Sequence, residues 1–457
     1  MTTLDRIAQF VTETPWGAIP TSTVSAAKVA ILDSMGTMLA GVRTATARSL
    51  LRVAENDGGA GACVVFGTGL RTTATWAGLC NGTLGHALDF DDTNLVMLGH
   101  ASVPLCAAAF ACAELVSGSG QDVIHAFLLG YEVESALGRF LQPQHYLEGW
   151  HPTCTIGTLG ATVTAAKLLG LDAAQIRNAM GLAASQASGL RANFGSMTKP
   201  FHAGHAARSG ILSALLAKEG FTSSPHAFDG KNGFIHLFKS QHPDPRPMFE
   251  TLGSRWEIVE TPSAVKQYPS AAPTHSFMDG LRELKKTHSF RPEEVVAVTI
   301  GLSSLVPEIL PYSRPESGLQ GKFSIEYCAA LAILDDHIGL SSFTDERVGR
   351  PDVQAMIRKV SVRVDEAIPS DVDSRFRSRV QVSLSNGTAL ERPPNALKGS
   401  HSAPLPIETI YAKFLDCAKE VLSHDAADAL GKRLLSLEDS GRAAETTRLT
   451  VPTGNAR

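Results

Sequence analysis

Apolar and small residues recur three and four positions apart in TSTVSAAKVAILDSMGTMLAG, CAAAFACAELVSG, DVIHAFLLGYEVESALGRFL, IGTLGATVTAAKLLG and LDAAQIRNAMGLAASQASGL. That period predicts helices, and most of these stretches run out at a glycine, the usual helix stop. Their faces are rich in Ala and Gly, so the helices are expected to pack closely. Ser22 and Asp172 stand where N-caps are expected, each ahead of a helix-forming run. Near residue 265 the texture changes to PEEVVAVTIGLSS, VSVRVDEAIP and SRVQVSLSNGTALER, partly alternating segments that read as strands. Helical KFSIEYCAALAILDDHIG and VGRPDVQAMIRKV lie between them, and helical patterning returns after PPNALKGSHSAPLP in IETIYAKFLDCAKEVLS and AADALGKRLLSLED. The predicted fold is mainly α. A large all-helical domain is expected from residues 1–264 and 398–445, interrupted by a smaller α+β domain at 265–397. Residues 446–457 read as a disordered tail.

A chain of 457 residues is long enough for two domains and a sizeable core. Its net charge is only −4 and it has no basic stripe, which argues against a nucleic-acid partner. The seven cysteines are scattered without a CxxC pair, a usage that suits a reducing compartment better than a zinc ribbon or a disulfide framework. The opening MTTLDRIAQFVTETPW lacks the pattern of a secretory signal, and no run approaches the ~20 apolar residues of a membrane helix. A cytoplasmic protein with no membrane partner is expected.

Chemistry concentrates in three strings. HALDFDDT, residues 86–93, places Asp89, Asp91 and Asp92 in an otherwise apolar and small-residue region. Ionised carboxylates are costly in a packed interior, so a helical segment carrying three borders a polar cavity or a helix end. A solvated first turn of a helix, its acids facing the dipole, would carry them equally well. In NFGSMTKPFHAGHAARSG, residues 193–210, Lys199, His202, His205 and Arg208 stand among Gly, Ala and Ser with no acid in the run. Such a set suits a polycarboxylate, whereas a merely solvated helix would show matching acids one turn away. The third string, VKQYPSAAPTHSFMDG, has Lys266 ahead of a Tyr-Pro turn and His275 opening the next helix, a second place for a carboxylate. His151 lies in the turn-like HYLEGWHPT, one of seven histidines between residues 86 and 205. A bound metal is not favoured, since there is no HExxH or CxxC and no second acidic cluster to match the first. GxxxxGK[ST] and GxSxG are absent too.

Taken together, HALDFDDT, GYEVESALGR, GWHPT, KPFHAGHAARSG, KQYPSAAPTH, KFSIEY and the late PPNALKG loop resemble the MmgE/PrpD family. The family includes 2-methylcitrate dehydratase, cis-aconitate decarboxylase and iminodisuccinate epimerase. The resemblance covers nearly the whole chain, and seven strings in the family's order are specific in combination. It implies a helical domain with an α+β lid, a homodimer, and cofactor-free chemistry on a small di- or tricarboxylate. Carried over by position, the catalytic residues would be Asp89, His100, His151, Lys199 and Tyr327, and the substrate contacts Thr93, His202, Arg208, Lys266 and His275. Two positions depart from the family pattern. Ala271 follows the KxYPS turn where dehydratase-like members often have cysteine and the decarboxylase histidine, and GHPS reads GHAS, with Ala101 for proline. Loss of that histidine weighs against decarboxylation.

The resemblance implies a shared step, removal of a proton beside a carboxylate, whose growing charge lysine, arginine and imidazolium groups would stabilise. Lys199 and Lys266 would neutralise carboxylates, and Arg208 would clamp one or hold the Lys199 segment. His151 or His100 would carry the proton, Asp89 would orient a histidine or lysine, and Tyr327 would protonate a departing hydroxyl. Three activities remain open: a hydro-lyase acting on a 2-methylcitrate-like acid, an epimerase of a substituted succinate, and a non-catalytic helical binding module.

Overall fold

The computed structural model describes residues 2–238 and 244–452. Among them, helices of six residues or more are α1 Thr3–Glu13, α2 Thr21–Gly41, α3 Ala45–Asp57, α4 Ala74–His86, α5 Ser102–Val116, α6 Gly120–Leu141, α7 Pro152–Leu169, α8 Ala173–Gln186, α9 Thr198–Lys218, α10 His275–His288, α11 Ile325–Leu334, α12 Pro351–Ile357, α13 Ile407–Ala418, α14 His424–Leu435 and α15 Ala443–Arg448. The fold is mainly α, and no described helix is long and apolar enough to cross a membrane.

The chain divides into two compact units. The first comprises residues 1–192, 198–263 and 406–457, the second residues 193–197 and 264–405. In the first unit α9 packs on α4 and α7, and α5 packs on α4, α6 and α7. These helices are apolar or small all round rather than along one stripe, which is the pattern of a helix enclosed by others. Glycine sets their spacing: a Cβ on Gly204 of α9 would stand 2.1 Å from the Leu79 carbonyl oxygen of α4, and one on Gly82 of α4 would stand 2.7 Å from Gly204 Cα. The backbones of α4 and α9 therefore touch where any side chain would separate them. A two-residue hairpin, β1 Cys63–Val64 with β2 Arg71–Thr72, closes one edge.

The second unit holds a four-stranded sheet in the order β4-β3-β5-β6, with β3 Val295–Leu302, β4 Val360–Val364, β5 Ser378–Leu384 and β6 Ala389–Asn395. β3 and β4 run parallel and the other pairs antiparallel. α10 packs against β5 and β6. The segment SRVQVSLSNGTALER, read as one strand, is a hairpin that turns at Gly387, φ +86°. Its second arm carries Pro393 and Pro394, which an edge strand tolerates because a missing N–H there costs no ladder bond.

Capping follows chemistry more closely than sequence position. Asp172 caps α8 in a reciprocal box with Gln175. Ser22 does not cap α2; the helix already begins at Thr21 behind Pro20, with no side-chain cap. The tail expected to be disordered is ordered as far as residue 452: α15 runs to Arg448, and Thr446, Thr447 and Thr450 are buried. Thr447 donates to Glu114 at 2.5 Å, so polar side chains anchor this end where apolar ones are scarce. Residues 453–457 lie outside the described residues.

Candidate active site

The acid string is not helical beyond its first residue. α4 ends at His86, and the chain then runs irregularly to α5, with Asp89 in the left-handed region at φ +51°. Asp tolerates this conformation better than most residues, and here it turns the chain sharply after the helix. Asp89, Asp91 and Asp92 are at most 3% exposed, which rules out a solvated turn. They follow a helix C-terminus, so their charges are held by side chains and not by a helix dipole.

Those side chains come from separate elements of the first unit. His86 Nδ1 lies 2.9 Å from Asp91 Oδ1, and Lys199 Nζ, at the start of α9, donates to His86 Nε2 at 2.7 Å and to Asp89 Oδ1 at 3.1 Å. This geometry fixes His86 as the neutral tautomer with its proton on Nδ1. Burial holds the His86 pKa down at about 3, Lys199 and His100 push the same way, and Asp91 opposes them. Asp91 is held well below the usual carboxylate range by His100 and His86 despite its burial. The result is a chain of contacts from Asp91 through His86 and Lys199 to Asp89.

His100 joins from the segment before α5. Its Nδ1 donates to the Asp92 carbonyl at 2.7 Å and lies 3.1 Å from Asp91 Oδ2, leaving Nε2 as the basic nitrogen, 3.6 Å from Asp89 Oδ1. The His86 and His100 rings are 4.2 Å apart, centroid to centroid. His151, just ahead of α7, stacks 5.9 Å from His86 and bonds His202 of α9 through Nδ1 to Nδ1, 2.9 Å. One of those two nitrogens donates and the other accepts, so the pair shares one proton. Burial lowers both pKa values, that of His202 to about 3. Behind the loop, Asp92 accepts from Ser102 Oγ at 2.5 Å, and burial with the charges of Asp33 and Asp91 raises its pKa to about 7.

Thr93 is buried, and its hydroxyl has no hydrogen-bond partner among the described residues. Arg208 stands apart from Lys199. Nine residues along a helix is about two and a half turns, the opposite face, and its guanidinium lies 5.8 Å from the Trp76 ring centroid. The expectation that Arg208 clamps a carboxylate beside Lys199 gives way to a packing contact. His205, one turn after His202, stacks on Phe201.

Lys266, His275 and Tyr327 belong to the second unit. Lys266 and His275 are buried, and His275 Nε2 lies 3.3 Å from the Ser270 carbonyl. Lys322 of KFSIEY donates to the Pro269 carbonyl at 2.7 Å and its own carbonyl accepts from Ala271 N–H, so one motif string holds the turn of another. The Tyr327 hydroxyl donates to the Ser342 carbonyl at 2.5 Å, and burial raises its pKa. That proton is therefore engaged within the unit, at odds with the expected donation to a departing hydroxyl.

His86 and Asp91 are the residues that the sequence reading left out of the site. The signal was present, since both flank Asp89 in one string, but only folding shows that His86 bonds Asp91 on one side and Lys199 on the other. Two sets of donors are close enough for a metal ion, His86 with His100 and His151, and His86 with Asp89, Asp91 and His100, their ligand atoms within 4.8 Å of one another. Lys199 brings its own cation against both His86 and Asp89.

Residues 5–246 match the MmgE/PrpD N-terminal domain and residues 268–438 the MmgE/PrpD C-terminal domain. The chain belongs to the MmgE/PrpD family. It is an enzyme of that type. Among curated relatives it is 28% identical over 429 residues to cis-aconitate decarboxylase of Mus musculus, covering 92% of this chain and 87% of the relative. It is likewise 28% identical over 435 residues to that of Homo sapiens (93% and 89%) and 26% identical over 446 residues to that of Aspergillus terreus (92% and 90%).

Proposed function

We propose that this MmgE/PrpD enzyme is a cofactor-independent hydro-lyase acting on a small hydroxy-di- or tricarboxylate of the 2-methylcitrate kind. The observation that carries the reading is Lys199, a cation held between His86 and Asp89 in a buried cluster in which burial keeps His86, His151 and His202 from taking up a proton. Abstracting a proton beside a carboxylate builds a second charge on that carboxylate. A preorganised ammonium in a water-poor site lowers that barrier most. His100 Nε2 is the base, because its Nδ1 proton is already committed to a carbonyl and Asp89 stands ready to stabilise the imidazolium. The proton that His100 takes leaves with the hydroxyl as water, relayed by the His151–His202 pair, which ends neutral as it began, and the unpartnered Thr93 hydroxyl binds a substrate carboxylate. The enzyme works as a cytoplasmic homodimer.

Decarboxylation is the second reading, favoured by the activity for which the relatives are named. Against it stands Ala271, buried at the turn that Lys322 holds, with a side chain that has no proton to give. Epimerisation needs the same base and no leaving group. The test is incubation with 2-methylcitrate, citrate, cis-aconitate and substituted succinates in deuterated water. Alkene absorbance from a hydroxy acid is the expected result. Carbon dioxide release from cis-aconitate would replace the hydro-lyase by a decarboxylase, and deuterium uptake into a succinate without an alkene by an epimerase.

A further inference from the structure

We infer that Lys413, far along the chain on α13, is a positioning residue for the acid loop. Its ammonium lies 2.7 Å from Asp33 Oδ1 of α2, donates to the Phe90 carbonyl at 2.7 Å, and sits 4.1 Å from the centroid of the Phe90 ring. The lysine side chain is 9% exposed and that of Asp33 1%. Phe90 is the residue between Asp89, in its left-handed conformation, and Asp91, the partner of His86. A non-glycine residue at positive φ returns to an ordinary conformation unless its neighbours prevent it. Lys413 grips the Phe90–Asp91 peptide, one residue past Asp89, so Asp89 faces Lys199 while Asp91 faces His86. The buried Asp33–Lys413 pair has a cost in desolvation that packing alone would not require. Its return is a fixed ammonium aimed at one carbonyl of the catalytic loop. This also gives the C-terminal segment, which returns to the first unit after residue 405, a task in the site.

The inference rests on reading the cluster as catalytic, so its test includes a measurement that needs no substrate. Lys413→Met alone removes the ammonium beside a buried carboxylate and is expected to destabilise the fold, whatever its effect on the loop. The informative protein is Lys413→Met/Asp33→Leu, in which both charges are gone and stability recovers. A positioning role predicts that kcat stays about 10- to 100-fold below wild type, with a smaller change in KM. It also predicts that the downfield Nδ1–H resonance of His86, the mark of its bond to Asp91, weakens in the proton NMR spectrum. Recovery of turnover and of that resonance together with stability would leave Lys413 a structural residue and overturn the inference. Asp33→Asn, which keeps the lysine on the Phe90 carbonyl, serves if the double variant does not fold. The wild-type His86 resonance and kcat within about threefold are expected; loss of the resonance would assign the effect to the ion pair and not to the carbonyl contact.

Discussion

At the residue scale, one histidine organises the site without being exposed to it. His86 accepts from Lys199 and donates to Asp91, and its depressed pKa keeps it neutral, so it holds the lysine in place without competing for charge. Replacing it with Gln, which can donate and accept but not across the same span, is expected to lower kcat about 10²-fold through lost orientation. Steady-state kinetics check this, and an unaltered kcat would mean that Lys199 is held by Asp89 alone. Lys199→Ala should lower kcat by about 10²–10³-fold, the scale of losing one preorganised donor to a developing oxyanion. Circular dichroism should show the variant folded, and near-normal turnover would remove Lys199 from the chemistry. For Asp89→Asn the expectation is a displaced pH–rate profile, because the carboxylate 3.6 Å from His100 Nε2 favours the imidazolium. A profile superimposable on the wild type would deny Asp89 that role.

At the scale of elements, the site depends on two helices whose backbones meet. α4 delivers His86 at its last residue and α9 delivers Lys199 near its first, while Gly82 and Gly204 bring the two into contact. Gly204→Ala would put a methyl group 2.1 Å from a carbonyl oxygen and 2.2 Å from Thr83 Oγ1, so the helices must part. The expected cost is about 1–3 kcal/mol of stability. Turnover should fall with it, since the same separation lengthens the His86–Lys199 contact. Denaturant unfolding and kcat measured on one preparation test the coupling, and a destabilised variant with wild-type kcat would show that the loop, not the helix spacing, sets the geometry.

At the scale of the whole molecule, buried titratable groups oppose one another as pH changes. His86 and His202 have folded pKa values of about 3, and His125 and His145 of about 4, against an ordinary 6.5. The unfolded chain binds protons there first, so these groups take stability away as pH falls below 6.5. Asp92 and Glu132 run the other way. Their folded values are about 7 and about 8 against 3.8 and 4.5, so the folded protein holds protons that the unfolded chain has released. Stability therefore declines as pH rises from the ordinary carboxylate range through those folded values. The two trends predict a thermal midpoint that falls on acidification below 6.5 and receives no compensating gain above neutrality. Midpoints that climb steadily up to pH 9 would show that Asp92 and Glu132 are ionised in the folded state.

The helical class, the strand-bearing segment and the strings that carry chemistry were legible in the chain, because helix period, strand alternation and the expense of burying charge act over a few residues. Lys199 and the close approach of Ala- and Gly-rich helices could be singled out on those grounds, whereas Asp89 among the three acids and His151 among the seven histidines were named only through the resemblance to the family. Tertiary structure decided what each charge faces. Asp91 pairs with a histidine five residues before it because α4 stops between them and Asp89 reverses the chain. Arg208, in the same string as Lys199, is lost to the site because half a helical turn separates their faces. Lys413, hundreds of residues away, reaches the loop only through the return of the C-terminal helices. Local patterns determine which residues are costly to bury, whereas the partner that offsets the cost is set by contacts between distant segments, and no window of sequence contains both.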